Sequence, residues 1–274
     1  MSRPRVLTIA GSDPSGGAGI QADLKTFVAW RTYGEAVVTA LTAQNTVGVA
    51  GVHAVPAAFV GLCLDAVLSD CPPQAAKTGM LFDAEVIRAV AERLRRVPHI
   101  PLVVDPVMVA TSGDSLLRDE ARSALVHELI PLAAVTTPNL HEAEILSGRR
   151  IASIDDAWDA AERIARLGPG AVLVKGGHLD GPTVTDLLRL SDGRRIVVER
   201  PRLAVHRAHG TGCTLSAAIA AALARGFALP DAVRRAGDWV HSALGAARPI
   251  GQGGTPLDHC VPVEGLEARE GDDR

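Results

Sequence analysis

The stretch His209-Gly210-Thr211-Gly212-Cys213-Thr214 sets two glycines and two hydroxyls directly ahead of an apolar run, Leu215–Ala224. Glycines at a helix start leave several N–H groups aimed at one spot, where the macrodipole also favours negative charge. Such an anion hole suits phosphoryl transfer, in which charge spreads over the transferred oxygens and fixed donors stabilise it. The plain alternative is an ordinary helix start. Cys213 falls in the first turn, where the dipole is expected to lower a thiol pKa. It is a base, a nucleophile or simply a small buried residue.

A second loop, Gly11-Ser12-Asp13-Pro14-Ser15-Gly16-Gly17-Ala18-Gly19, exposes backbone amides and leaves a ligand room to approach. Gly17 and Ala18 stand where a P-loop needs Lys and Ser/Thr, which disfavours a Walker-type nucleotide site. Asp13 reads equally as a turn residue or a ligand contact. Three more motifs follow strand-like runs: Asp105-Pro106-Val107-Met108, Thr137-Pro138-Asn139-Leu140-His141-Glu142 and Lys175-Gly176-Gly177-His178. Open α/β sheets bind ligands beyond the carboxyl ends of their strands, so these motifs share one rim with the glycine-rich loops. Asn139 and Glu142 share one face of a helix start, where they hold Mg²⁺-bound water or phosphate, or else form an N-cap with its capping-box glutamate.

The elements that must carry these residues follow from periodicity. Short Val/Ile/Leu-rich runs at Val6–Ala10, Ala36–Leu41, Ala75–Thr78, Leu102–Val104, Ala133–Thr136 and Ala171–Val174 predict strands. Ile20–Arg31, Ala57–Leu68, Ala84–Arg95, Asp119–Leu129, Asp155–Leu167, Thr214–Arg225 and Asp231–Ala247 carry the three- and four-residue spacing of helices. The alternation predicts βαβ units around a mainly parallel sheet, an α/β fold. Thr183–Leu190 and Arg195–Val198, joined by Ser191-Asp192-Gly193, predict an antiparallel hairpin added at an edge. One domain over residues 1–263 is expected, with Glu264–Arg274 a frayed charged tail.

Composition limits what such a site acts on. Lys+Arg 28 against Asp+Glu 31 gives a net charge of −3, without the cationic field of a non-specific nucleic-acid binder. A hydrophobic content of 47% excludes a disordered chain. The four cysteines, at 63, 71, 213 and 260, show neither zinc-site pairs nor a disulfide framework, which fits a reducing cytoplasm. Neither a signal-peptide core nor a run long enough for a membrane span is read, so a cytoplasmic enzyme is expected. Lys25, Lys77 and Lys175 are the only lysines, which gives weight to any lysine inside a motif.

Seven motifs resemble, in order from about residue 5 to 250, the bacterial hydroxymethylpyrimidine/phosphomethylpyrimidine kinases. They are Thr8–Asp23, Ala43-Gln44-Asn45-Thr46, Lys77-Thr78-Gly79-Met80-Leu81, Asp105–Met108, Thr137–Ala143, Lys175–His178 and His209–Thr214. The resemblance implies a ribokinase-like three-layer α/β/α sandwich with a small lid, commonly a homodimer. It implies ATP- and Mg²⁺-dependent phosphorylation of 4-amino-5-hydroxymethyl-2-methylpyrimidine to the monophosphate and then the diphosphate, in thiamine biosynthesis. Cys213 would be the base, and Gly210, Thr211 and Gly212 the rest of the anion hole.

The resemblance further implies that Gln44 reads the aminopyrimidine edge, its amide donating to a ring nitrogen and accepting from the amino group. Gly11, Asp13, Ala18, Met80 and Val107 would complete the substrate side. Asp105, Asn139, Glu142, Lys175 and His209 would form the ATP side, with Asp105 and Glu142 holding Mg²⁺, through water or directly. The loop Thr111-Ser112-Gly113-Asp114-Ser115 is either a flap over phosphates or an ordinary βα loop. Arg207-Ala208 and Gly251-Gln252-Gly253-Gly254 depart from the family pattern, which touches nucleotide preference. The competing functions are a pyridoxine or pyridoxal kinase and a catalytically silent pyrimidine-binding paralogue.

Overall fold

A computed structural model of the chain describes residues 3–108, 119–176, 181–205 and 207–266. The expected flap at Thr111–Ser115, the Gly177-His178 end of the lysine motif and most of the predicted tail lie outside these residues.

Six short strands form the parallel part of an eight-stranded sheet: β1 (Arg5–Ala10), β2 (Tyr33–Val38), β5 (Ala75–Thr78), β6 (Leu102–Val104), β7 (Val135–Thr136) and β8 (Ala171–Val174). Across the parallel part the strand order is β8-β7-β6-β5-β1-β2, and two further strands extend it beyond β8. β9 (Thr183–Leu190) and β10 (Arg195–Pro201) are the antiparallel edge that the Ser191-Asp192-Gly193 turn predicts. The chain runs outward from β1 to β2 and returns to place β5 on the other flank of β1. A crevice opens at that reversal.

Alternation along the strands fills both faces. Leu7, Ile9, Leu102 and Val104 pack with α2 (Ala57–Asp70), α3 (Ala84–Leu94) and α4 (Asp119–Ala124). Val172, Val174 and Leu187 continue that face against α5 (Leu140–Ser147) and α6 (Ile154–Ala165). Val6, Val103, Val135 and Leu173 point the other way, onto α1 (Gly19–Ala29), α7 (Thr211–Ala224) and α8 (Leu229–Gly245). The result is the expected three-layer sandwich. α7 is apolar all round and buried from Thr214 to Ala222, as a helix covered by sheet and neighbouring helices must be.

Three local expectations are corrected. Ala36–Leu41 is not one strand: Thr39 turns the chain out of the sheet, its N–H donating to Ala10 O and its hydroxyl to Met80 O. From there β3 (Ala40–Gln44) pairs antiparallel with β4 (Val49–Ala54) as a separate ribbon that the sequence reading did not foresee. Asp119–Leu129 is helical throughout, but its second half, Leu125–Leu129, widens to a π turn. α7 begins three residues earlier than expected, so Thr211, Gly212 and Cys213 form its first turn. Among the described residues no helix is long and apolar enough to cross a membrane.

Candidate active site

Two cavities meet at the carboxyl rim of the sheet. The larger, about 620 Å³, is lined by Asp105, Asn139, Glu142, Lys175 and the first turn of α7. The smaller, about 110 Å³, is lined by Gly11, Asp13, Gln44, Met80 and His209. Ala18, Val107 and Cys213 line both, so they stand at the junction.

The two glycine-rich loops meet because glycine permits it. Gly210 caps α7 with φ +81°, and a Cβ there would lie 1.8 Å from Gly17 O. Gly212 turns its Cα toward Lys175 Nζ and Asp105 Oδ2, which places the N-terminus of α7 beside both charges. Asp105 directly follows β6 and is buried; its Oδ1 accepts from Lys175 Nζ (3.0 Å) and Thr137 Oγ1 (3.3 Å), and its Oδ2 from Ser216 Oγ (3.4 Å). Burial works against the Lys175 ammonium, but the Asp105 and Glu142 carboxylates outweigh it and hold its pKa above the usual value.

Asn139 and Glu142 form a complete capping box on α5. Asn139 Oδ1 accepts from Glu142 N at 2.9 Å, and Glu142 Oε2 accepts from Asn139 N at 2.8 Å. The capping reading of this pair therefore holds, while Glu142 still faces the large cavity. Burial raises its pKa to about 7; Lys175 opposes that shift and Asp105 adds to it.

Cys213 corrects the expectation of a lowered thiol pKa. Burial dominates and drives the thiol to about 11, against the Lys77 ammonium and a hydrogen bond from Gly19 N, and with Asp23 and Asp105 reinforcing the rise. A helix terminus offers about 0.3–1 kcal/mol to a charge, too little to offset desolvation.

Asp13 braces its own loop. Oδ1 accepts from Ser15 N and Oγ, while Oδ2 accepts from Gly17 N, Ala18 N and His209 Nε2 at 2.8–3.1 Å. Burial alone would raise its pKa, yet the bonds from His209, Ser15 and Ala18 lower it to about 2. His209, expected beside the nucleotide-side residues, is placed in the small chamber instead. Gly17 makes room for its ring and Gly254 for its Cβ, because Cβ atoms added at these positions would lie 2.6 Å from the ring Cδ2 and 2.9 Å from the His209 Cβ. Met80 closes over Gly11, where an added Cβ would meet its methyl at 2.5 Å.

Residues 13–258 match the phosphomethylpyrimidine kinase family. A hydroxymethylpyrimidine/phosphomethylpyrimidine kinase of Rhizobium meliloti is 54% identical over 258 residues, covering 92% of this chain and 96% of the relative. The chain belongs to the phosphomethylpyrimidine kinase family. A solved phosphomethylpyrimidine kinase from Clostridium difficile 630 superposes with a TM-score of 0.78 at 44% identity, over 88% of this chain and 99% of that one. An ADP complex of Bacillus subtilis pyridoxal kinase superposes with a TM-score of 0.88 at 35% identity, over 94% and 98% of the two chains. Backbone likeness thus leans to one kinase type and sequence identity to the other.

Sequence reading of this kinase missed several residues. Lys77 lies in a motif that carried the resemblance but was given no role, although it is one of only three lysines. It is fully buried with Asp23, which also accepts from Thr8 Oγ1 at 2.6 Å. Asp186 and Arg200 line the large cavity, with Asp186 Oδ1 accepting from Gly176 N and Oδ2 from Arg200 Nη1. Nothing in an edge hairpin singles these two out. Thr42 approaches Gln44 from β3, an element that the sequence did not reveal.

Proposed function

We propose that this chain transfers the γ-phosphoryl group of ATP to the hydroxymethyl oxygen of 4-amino-5-hydroxymethyl-2-methylpyrimidine, and then to the resulting monophosphate, releasing ADP at each step and supplying the pyrimidine diphosphate for thiamine biosynthesis. The observation that carries this reading is the junction: the first turn of α7, with Cys213, lies between a cavity of nucleotide size and a chamber of single-ring size. Residues 1–263 would act as one kinase domain.

In this reading the triphosphate lies along Lys175 and the N–H groups of Thr211, Gly212 and Cys213, which stabilise charge on the transferred oxygens without reorganising. Among the described residues no cluster of three or more His, Cys, Asp or Glu side chains forms a metal cage. Asp105 and Glu142 in one cavity instead fit Mg²⁺ held through water and ATP oxygens, the manner in which this ion is commonly bound. When bound, Mg²⁺ would neutralise charge on the phosphates.

The pyrimidine ring would lie between Met80, Val107 and Ala18, with Gln44 at its edge. Its hydroxyl faces Cys213, whose thiol is almost wholly protonated at neutral pH. A loose transition state asks little of a base before the P–O bond forms, so the thiolate fraction matters only for removing the alcohol proton. The second transfer starts from a phosphate oxygen that is already anionic.

The likeness to a pyridoxal kinase supports a second reading, phosphorylation of a hydroxymethylpyridine. Turnover of purified protein with Mg·ATP and either pyrimidine or pyridoxal separates the two. The first reading predicts kcat/KM at least tenfold higher for the pyrimidine; the reverse order overturns it.

A further inference from the structure

Gln44 sits in a chain of hydrogen bonds whose direction is fixed at both ends. At one end Asp13 is a carboxylate, able only to accept, and His209 Nε2 lies 3.1 Å from its Oδ2. A lone pair on that nitrogen would repel the carboxylate, so Nε2 carries the proton. Gly17 approaches the ring face so closely that an added Cβ would lie 2.6 Å from Cδ2, and Gly254 approaches the His209 Cβ, which limits how the ring can turn. At the other end, Thr42 Oγ1 has one proton and places it on Ser12 O at 2.9 Å, which leaves its lone pairs for other donors.

The Gln44 amide lies between these ends, one terminal atom 3.4 Å from His209 Nε2 and the other 3.4 Å from Thr42 Oγ1. Amide nitrogen and oxygen are nearly equal in size, so the partners decide which is which. The single Nε2 proton is already placed on Asp13, so at 3.4 Å this N–H repels an amide N–H and tolerates the amide oxygen, while a hydroxyl whose proton is spent demands a donor. The amide oxygen therefore faces His209 and the amide nitrogen faces Thr42, each with bonding capacity left toward the chamber.

We infer that His209 is a specificity-determining positioning residue: through the Asp13–His209–Gln44–Thr42 chain it fixes the polarity of the Gln44 amide, so the chamber accepts a ring edge with its exocyclic donor on the His209 side and its ring acceptor on the Thr42 side. This rests on the aminopyrimidine reading of the substrate and deepens it. A 4-oxo pyrimidine presents the opposite order, an exocyclic acceptor beside a ring N–H donor, and would leave both amide ends facing like groups. Unlocking the amide lets it turn to suit either edge.

The test compares kcat/KM for 4-amino-5-hydroxymethyl-2-methylpyrimidine and its 4-oxo counterpart in the wild-type chain, in His209→Ala and in Thr42→Val, with KM for Mg·ATP measured alongside. The wild type is expected to favour the amino compound by on the order of 10³ or more, since a mismatched polar edge leaves buried groups unpaired. In each variant that preference is expected to fall at least tenfold, while KM for Mg·ATP changes less than twofold. Thr42→Val carries the test alone if His209→Ala does not fold. A preference unchanged in a folded variant, with both substrates slowed equally, overturns the inference and leaves the substrate reading intact. A wild type that turns over neither pyrimidine overturns both.

Discussion

The Lys77 ammonium lies 3.0 and 3.1 Å from the two carboxylate oxygens of Asp23, and neither side chain has any exposure to solvent. The pair joins β5 to α1, the helix that Gly19 opens, and its two charges act in opposite senses on the Cys213 thiol. Removing one partner leaves an uncompensated buried charge and is expected to cost about 3–5 kcal/mol. Replacing both, as in Lys77→Met with Asp23→Leu, is expected to recover much of that loss. Urea unfolding of the single and double variants checks this; equal or additive losses contradict it.

Cys213 sets the pH dependence of the two transfers apart. With its thiol pushed to about 11 by burial, the thiolate fraction rises steadily through the neutral range. kcat/KM for the alcohol is expected to climb with pH up to about 9, approaching tenfold per unit, while phosphorylation of the monophosphate stays nearly flat. Cys213→Ser is expected to slow the first transfer about 10²-fold or more and the second less than tenfold. Parallel profiles for the two substrates would remove the base role.

Glu142 makes stability fall as pH rises. Its folded pKa of about 7, raised mainly by burial, exceeds its ordinary value of 4.5, so the folded chain binds the extra proton between those limits. The contribution is fully present below pH 4.5 and is lost as pH rises through about 7. Glu142→Gln keeps an acceptor for Asn139 N and has no such titration. Across this interval the wild-type Tm is expected to decline by several degrees relative to the variant, at about 2–4 °C per kcal/mol for a chain of this size. A constant difference between the two proteins would exclude the shift.

Gly210 holds the loops in register. Gly210→Ala puts a methyl against Gly17 O in a left-handed conformation, so the anion hole and the Asp13 loop must separate. An expected loss of about 10²-fold in kcat/KM follows from displacement of about 1 Å, with secondary structure kept. Near-normal turnover would show that the two loops need not touch.

The sheet was legible because β6 and β8 are short, wholly buried apolar runs; their predicted limits match those in the structure, as do those of β5, which is equally buried but carries Lys77 and Thr78. The β3–β4 ribbon was not, since Val49–Ala54 contains a glycine and a histidine and most of it is exposed, so it lacks the pattern of a buried strand. Asn139 and Glu142 were correctly located but left between two readings, because a capping box and a cavity-facing carboxylate have the same spacing. Burial misled the reading of Cys213: the helix start is local, whereas the desolvation comes from residues far away in the chain. The setting of His209 was not legible for a similar reason. Its ring is turned toward Asp13, 196 positions earlier, by contacts no local pattern encodes.

The central claim is that one site performs both transfers to a pyrimidine. Incubation of the purified chain with Mg·ATP and 4-amino-5-hydroxymethyl-2-methylpyrimidine, followed by chromatographic separation of products over time, tests it most directly. The monophosphate is expected to appear first and then give way to the diphosphate, with two ADP released per diphosphate formed. Accumulation of monophosphate alone, or no pyrimidine product beside rapid phosphorylation of pyridoxal, would contradict the account.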